Sequence, residues 1–238
     1  MNRHSPVTQS FNKSALGIAL LSVAFNCLAQ APLEEVVVTA DFRHNNINNV
    51  AASVTVLDGN LIASKNALHL EDILLNAPNV NFASGASRAR FYQIRGIGER
   101  AQYAAPLNTS VGVLIDGVDF SGIGGAAMLY DVEQVEILMG PQGTRYGSNA
   151  LAGLINLSSK APSATTGYGL QLQSENYQGT GIAGYVTGAV NDSLLGRLSM
   201  QTLQSDGYTN NLTLNRATNQ RDENTVRGKL RWQINEQV

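Results

Sequence analysis

DVEQVEILMGPQGTRYGSNALAGLINLSSK, residues 131–160, decides the fold, because an apolar strand, a glycine-rich loop and a second apolar strand follow one another directly. The first strand ends at Gly140-Pro141, and Gly143, Gly147 and Gly153 permit tight turns before the chain becomes apolar again. The pattern predicts two strands joined by a structured loop. Such a unit is either part of an ordinary soluble domain or is built to be held inside something larger.

The first 29 residues carry the three zones of a secretory signal peptide. Arg3 and Lys13 are basic, residues 15–24 form an apolar run too short to span a bilayer, and Cys27-Leu28-Ala29 has small residues that signal peptidase accepts. We predict cleavage after Ala29, which would export the protein and remove its only cysteine. The mature chain would then have no disulfide framework and no cysteine-based redox or metal chemistry.

Charge and hydropathy narrow the classes of partner. The formal net charge of the whole chain is −2 at pH 7, which argues against a nucleic-acid partner. No run of about 20 apolar residues follows the predicted signal peptide, so no transmembrane helix is expected. Any insertion into a membrane would have to be by strands.

A short β-forming segment lies directly after the predicted cleavage site. Residues 30–40, QAPLEEVVVTA, place Glu34-Glu35 before three valines and a threonine. Two interpretations are open: the segment is the first strand of the fold, or it is an extended arm that adds to the sheet edge of a partner. Residues 43–49 are polar and rich in asparagine, and are predicted to be a linker.

Packed structure is predicted to begin at Ala51 with a strand, ASVTVLD, whose apolar residues alternate. Asp58 is predicted to cap a helix at residues 59–65, and a second helix at residues 70–76 ends before Pro78. His69 stands at the start of the second helix. A solvated or capping role is expected for it, because no second histidine or cysteine lies at metal-ligand spacing.

The sequence contains no recognisable catalytic constellation. Asp116-Gly117 predicts a tight hairpin turn, and Asp116, Asp119 and Asp131 are interpreted as turn residues because no histidine, lysine or nucleophile accompanies them at a suitable spacing. The loop GPQGTRYGS lacks the lysine followed by serine or threonine of a phosphate loop, and no G-x-S-x-G elbow occurs. Neither an enzymatic activity nor a cofactor is predicted.

Three motifs resemble those of TonB-dependent outer-membrane receptors. Residues 131–160 are similar to a plug segment of the form LRGPxxxxYGxxAxGGxINxxTK, EEVVVTA resembles the TonB box, and FYQIRGIG resembles a plug motif whose arginine pairs with acids of the barrel wall. The resemblance implies that coupling to TonB involves Glu34, Glu35, Val36, Val37, Val38, Thr39 and Ala40. It implies plug latch and loop roles for Arg95, Gly96, Gly140, Pro141, Gly143, Arg145, Tyr146, Gly147, Asn149 and Gly153.

Two departures from the family pattern concern charge. Met139 stands where the arginine of LRGP is usual, and Ser148 replaces a frequent arginine after the Tyr-Gly pair. Arg145, at a position that is commonly apolar, is hypothesised to restore the lost charge from within the same loop. A possible ligand-facing surface of the plug is formed by Arg88, Arg100 and Tyr103.

After Pro162 the chain is predicted to form strands at residues 167–175, 181–190, 194–204 and 225–234. In the last of them Val226, Gly228, Leu230, Trp232 and Ile234 alternate with Arg227, Lys229, Arg231 and Gln233. Alternation of this kind is typical of a transmembrane β-barrel and also of a soluble sheet with one wet face. Residues 191–193 would form a short periplasmic turn, and residues 205–223 a longer extracellular loop.

The expected fold is an α+β plug domain, with a small mixed sheet and short helices, followed by the first antiparallel strands of an incomplete transmembrane β-barrel. The expected boundaries are residues 1–29 for the signal peptide, 30–50 for the TonB box and flexible linker, 51–162 for the plug and 163–238 for the barrel start. A plugged barrel closes with about 22 strands of about 9–11 residues each. The residues after Pro162 hold about four, so the chain is expected to be a fragment or truncated product that does not transport by itself.

The resemblance implies TonB-dependent uptake of a scarce ligand, with an iron–siderophore complex as the first choice. The implied location is the bacterial outer membrane, with the plug and N-terminal arm reachable from the periplasm. The implied partners are TonB with the ExbB–ExbD complex, outer-membrane lipid and an extracellular ligand such as a metal chelate. The alternative is an exported plug-like module that binds a ligand or partner without transport.

Overall fold

The computed structural model describes residues 37–39, 45–46, 52–84, 88–101, 106–123 and 128–234. The predicted signal peptide, the coupling residues Glu34, Glu35, Val36 and Ala40, and Tyr103 lie outside these ranges. The described residues belong to one compact unit that begins at Val37.

The N-terminal half of this unit is an α+β domain. Its strands are β1 (Val37–Val38), β2 (Asn45–Asn46), β3 (Ser53–Asp58), β4 (Val80–Ala83), β5 (Phe91–Ile94), β6 (Val111–Ile115), β7 (Val118–Asp119), β8 (Val132–Met139) and β9 (Gly153–Ser159). Its helices are α1 (Gly59–Ser64), α2 (Leu70–Leu74) and α3 (Gly143–Tyr146). The central sheet has the order β3-β8-β9-β6-β7, in which only the β6–β9 pair is parallel, so the predicted mixed sheet with short helices is confirmed.

Local sequence signals explain the element boundaries. Asp58 caps α1, since its Oδ1 atom accepts a hydrogen bond of 2.8 Å from the backbone N–H of Leu61. The turn between β6 and β7 has φ values of 50° at Asp116 and 82° at Gly117, which is the left-handed geometry that an Asp-Gly pair favours. Both predicted features are therefore confirmed.

The central sheet is buried on both faces along β8. Val135, Ile137 and Met139 point into the main core with the helices, whereas Leu138 lies in a second cluster on the opposite face. Glu136 is fully buried and shares the face of Leu138. A strand covered on both sides explains why residues 132–139 are mostly apolar rather than strictly alternating.

A second, four-stranded antiparallel sheet follows, here called the wall sheet. Its strands are β10 (Gly167–Glu175), β11 (Gly179–Asn191), β12 (Leu194–Ser205) and β15 (Arg221–Trp232), in the order β10-β11-β12-β15. The four predicted strands are confirmed, although β15 begins four residues earlier than expected. Inside the predicted long loop, β13 (Thr209–Asn211) pairs with β14 (Arg216–Thr218). The wall sheet does not close on itself within the described residues.

One face of the wall sheet is apolar and open. Val226, Leu230 and Trp232 of β15 are 72%, 72% and 70% exposed, and Leu170 and Leu172 of β10 are 75% and 71% exposed. The opposite face carries polar side chains that meet the plug domain. In the part of the chain that the structure describes, no helix has the length and apolar character needed to cross a membrane.

Candidate functional site

Residues Val37–Thr39, here called the arm, lie against the central sheet. Val37 and Val38 pair antiparallel with Asn46 and Asn45, so a strand occurs inside the segment that was predicted to be a linker. Val38 is fully buried, in a cluster with Leu138 and Leu154 of the sheet. The arm is therefore an added layer on the sheet rather than one of its strands.

A buried carboxylate fixes the end of the arm. Oε1 of Glu136 accepts hydrogen bonds from the backbone N–H of Thr39 at 2.5 Å and from its Oγ1 at 2.8 Å. The amide of Gln134 donates to the same oxygen at 2.6 Å and to the carbonyl of Val37 at 3.1 Å, and Asn156 donates to Oε2 of Glu136 at 3.1 Å. We call Gln134, Glu136 and Asn156 the arm clamp.

The sequence reasoning missed the arm clamp. Glu136 and Asn156 are direct neighbours across the β8–β9 pair, and both point to the face on which the arm lies. A carboxylate out of water is tolerated only when donors surround it, and the arm supplies two of the four donors described above. The signal in the sequence was an acid flanked on both sides by apolar residues of a buried strand.

Two neighbouring arginines of the wall sheet, Arg197 and Arg227, bind the plug domain. The guanidinium of Arg197 binds the Asp131 carboxylate in two-point fashion, with Nε 2.7 Å from Oδ2. These side chains are only 8% and 4% exposed, and Arg197 also stacks 4.2 Å from the ring centre of Tyr185. Arg227 donates to the carbonyl of Tyr130 at 2.8 Å.

Lys229 makes a third contact between wall and plug. Its Nζ atom lies 2.9 Å from Oδ1 of Asp116 and 2.9 Å from the carbonyl of Ser159. Burial would raise the pKa of the Asp116 carboxyl, but hydrogen bonds from Ser159 and Lys229 outweigh it and hold the pKa below its ordinary value. Asp116 and Asp131 thus adopt turn conformations, as predicted, and in addition bind the wall, which was not predicted.

The structure changes the expected role of His69. A solvated role is wrong, since His69 is 1% exposed and its Nε2 lies 2.7 Å from Oε2 of Glu223 in the wall. His69 is the N-cap residue of α2, and Oδ2 of Asp72 in the first turn accepts a hydrogen bond from the His69 N–H at 2.9 Å. Burial disfavours the imidazolium, yet the carboxylates of Asp72 and Glu223 outweigh burial and raise the pKa of His69.

The predicted ligand-facing arginines occupy different surroundings. Arg88 bridges Glu71 at 3.2 Å and Glu223 at 3.0 Å, so its guanidinium is engaged in ion pairs between plug and wall. Arg100 lines an open cavity of about 650 Å³ together with Gln93 and Arg95. The ligand-facing role of these residues stays a prediction.

Arg95, the predicted latch, is exposed and has a φ of 54°, next to Gly96 at 80°. Within the described ranges it has no acidic partner, and its pairing with an acid of a barrel wall stays a prediction. Arg145 is exposed in the last turn of α3. Its proposed compensation for the arginine missing at Met139 also stays a prediction.

The loop between β8 and β9 is folded tightly by its own backbone. The backbone N–H of Gln142 donates to the carbonyl of Ala150 at 2.8 Å, and the side-chain amide of Asn149 joins the loop to the carboxylate of Asp119 in β7 at 2.9 Å. Gly153 has a φ of 158°, and a Cβ atom there would lie 2.5 Å from the carbonyl oxygen of Leu138. Glycine is therefore required at this position. No cluster of histidine, cysteine or acidic residues able to hold a metal is found among the residues described.

The architecture is a mixed sheet with short helices placed against the antiparallel wall sheet, and comparison with known proteins assigns a family to the first of these two parts. Residues 46–154 match the family described as the TonB-dependent receptor plug domain. These residues therefore form a plug domain of the TonB-dependent receptor family, and the structure adds antiparallel strands beyond them. The resemblance drawn from the sequence is confirmed.

Relatives agree with this assignment. The vitamin B12 transporter BtuB of Vibrio vulnificus is 27% identical over 210 residues, covering 85% of this chain and 33% of the transporter. The catecholate siderophore receptor Fiu of Escherichia coli K12 is 34% identical over 122 residues, covering 51% of this chain and 15% of the receptor. This chain thus spans about a third or less of the length of these relatives. They are transport proteins and receptors rather than enzymes.

A solved structure shows the same fold. The crystal structure of the ferric yersiniabactin uptake receptor FyuA from Yersinia pestis superposes with a TM-score of 0.67 at 24% identity. The match covers 76% of this chain and 29% of that receptor.

Proposed function

We propose that the chain supplies the energy-coupling arm, the gating plug and the first wall strands of a receptor for TonB-dependent uptake across the bacterial outer membrane. The observation that carries this proposal is the arm clamp. It connects residues with the composition of a TonB box to an interior strand of a plug sheet through one buried carboxylate.

The route from arm to gate is short. Thr39 is bound to Glu136, and Glu136 lies in the middle of β8, which pairs with β3 on one side and β9 on the other. A force on the arm therefore acts on an interior strand of the plug sheet, and both neighbours of that strand feel it next. The coupling partner in this proposal is TonB, powered by ExbB–ExbD, and the arm would pair with it by strand addition.

The proposed ligand is a scarce metal chelate, an iron–siderophore complex being the first choice. The relatives named above include a vitamin B12 transporter and a catecholate siderophore receptor. The open cavity beside Arg95 and Arg100 places two guanidinium groups near amide side chains, which suits an anionic ligand rich in oxygen atoms. In the outer membrane, lipid would cover the apolar face of the wall sheet.

The experiment compares Val37→Pro with Val37→Ala in the whole gene product. Proline removes a backbone donor from the arm, whereas alanine keeps it. Loss of one backbone hydrogen bond, about 1 kcal/mol, should weaken binding to the periplasmic domain of TonB about fivefold in the proline variant alone. Siderophore-dependent growth under iron limitation should fall with it. Equal affinities of the two variants, or uptake that persists without TonB, would contradict the proposal.

A further inference from the structure

The strongest polar contact between plug and wall lies at the start of β8. Asp131 and Arg197 are both nearly inaccessible, and two hydrogen bonds join them. By contrast, Lys229 is 32% exposed in its pair with Asp116, Arg88 is 31% exposed in its pairs, and Glu223 is 24% exposed in its pair with His69. Screening by solvent weakens these more exposed pairs, so the pair of Asp131 and Arg197, here called the wall anchor, dominates.

The surroundings hold the wall anchor in one geometry. Tyr185 covers one face of the Arg197 guanidinium at 4.2 Å. Across the β12–β15 pair, Arg197 lies opposite Lys229, so the two cations face the plug side by side. Asp131 has a φ of 61°, and its carbonyl accepts a hydrogen bond of 3.0 Å from the backbone N–H of Lys160. One residue therefore ties the start of β8 both to the wall and to the end of β9.

The same strand carries the arm clamp. Glu136 follows Asp131 by five residues, which corresponds to about 16 Å along an extended strand. β8 is thus attached at one end to the wall and near its centre to the arm. A pull on the arm acts against an end that the wall anchor holds, and the hydrogen bond from Arg227 to the carbonyl of Tyr130 lies beside it.

We propose that Asp131 is a positioning residue, which keeps the wall end of β8 in place while the arm draws on the centre of that strand. The inference rests on the proposed coupling function. It implies that the plug opens around the arm clamp and leaves the segment next to Asp131 seated on the wall. Because this end of β8 stays in place, the strand can return to its original pairing register when the plug closes.

The test uses the whole receptor in cells with one reporter cysteine introduced, because Cys27 is lost with the predicted signal peptide. Reporters stand at Val38, which is buried in the arm, or at Leu129, which is 2% exposed beside the wall anchor. Labelling by a thiol reagent from the periplasm is compared in energised cells and in cells treated with an uncoupler. The variants are Asp131→Asn, Arg197→Lys and, as a control, Asp119→Asn, whose carboxylate binds plug residues Ser121 and Asn149.

Energising the parent should raise labelling at position 38 severalfold and leave position 129 unchanged. Asp131→Asn should raise labelling at position 129 about tenfold in energised cells alone, Arg197→Lys should give an intermediate rise, and the control should behave as the parent. Unchanged labelling at position 129 in Asp131→Asn would overturn the inference. An equal rise with and without energy would also overturn it, because the residue would then serve stability alone. If position 38 does not respond to energy in the parent, the coupling function itself fails.

Discussion

Substitution of Glu136 by alanine should free the arm without unfolding the plug. The Glu136 carboxylate accepts two hydrogen bonds from Thr39, at 2.5 and 2.8 Å. Hydrogen bonds to a charged group contribute about 1.5–3 kcal/mol each, so even the lower value gives about 3 kcal/mol for the pair. The docked arm should then open about 150-fold more often.

Amide hydrogen exchange reports this opening directly, because the Thr39 N–H is one of the two donors. In Glu136→Ala, exchange in a peptide that contains Thr39 should accelerate by about two orders of magnitude. Thr39→Val removes the hydroxyl donor alone and should accelerate it about tenfold. Exchange of the β6 and β9 amides should change little in either variant.

The matched control is Glu133→Ala, since Glu133 is exposed on the same strand. In Glu133→Ala, the amide exchange rate of the peptide that contains Thr39 should equal that of the parent. If Glu136→Ala leaves the arm as protected as in the parent, the carboxylate does not hold the arm, and burial of Val38 would have to account for docking. The proposed route from arm to gate would then lose its first step.

Three further predictions concern the plug. Gly153→Ala should destabilise the plug by about 2–5 kcal/mol in thermal or urea unfolding, whereas Gly143→Ala, whose Cβ meets no atom within 4 Å, should not. The raised pKa of His69 means that its contact with Glu223 is strongest below pH 6.5 and is lost as the pH rises through the raised value. Trypsin resistance followed against pH should show this dependence, and His69→Gln should abolish it. The lowered pKa of Asp116 means that its stabilisation is present above pH 3.8 and is lost as the pH falls through the lowered value, so Asp116→Asn should flatten the acid limb of an unfolding curve.

Local patterns made much of the fold predictable. Alternation of apolar and polar residues located the wall strands, because each has one face against the plug and one facing outward. Asp58 and the Asp116-Gly117 pair act within a few residues of themselves, so their cap and turn needed no knowledge of the rest of the chain. The plug domain is predicted from the family motifs, because periodicity alone predicts only a sheet with helices.

The contacts that define the site could not be predicted from the sequence, because they join residues that are far apart along the chain. Thr39 and Glu136 are 97 residues apart, and His69 and Glu223 are 154 residues apart. In a strand such as VEQVEILM, a glutamate normally indicates the wet face, and nothing near Glu136 in the sequence indicates that the arm binds it. Asp131 likewise reads as a turn residue, since nothing near it in sequence indicates a buried arginine partner.

The contacts that hold β8 differ in kind, and this difference predicts the order in which they break when the arm is pulled. The arm is held by hydrogen bonds that converge on one carboxylate, whereas β3 is held by a backbone ladder along six paired residues. Hydrogen bonds to a single group can be exchanged for water one after another, but a ladder must open along its length. The arm clamp should therefore release first under load and the sheet should follow. The wall anchor should break last, because separating Asp131 from Arg197 leaves two buried charges without compensation.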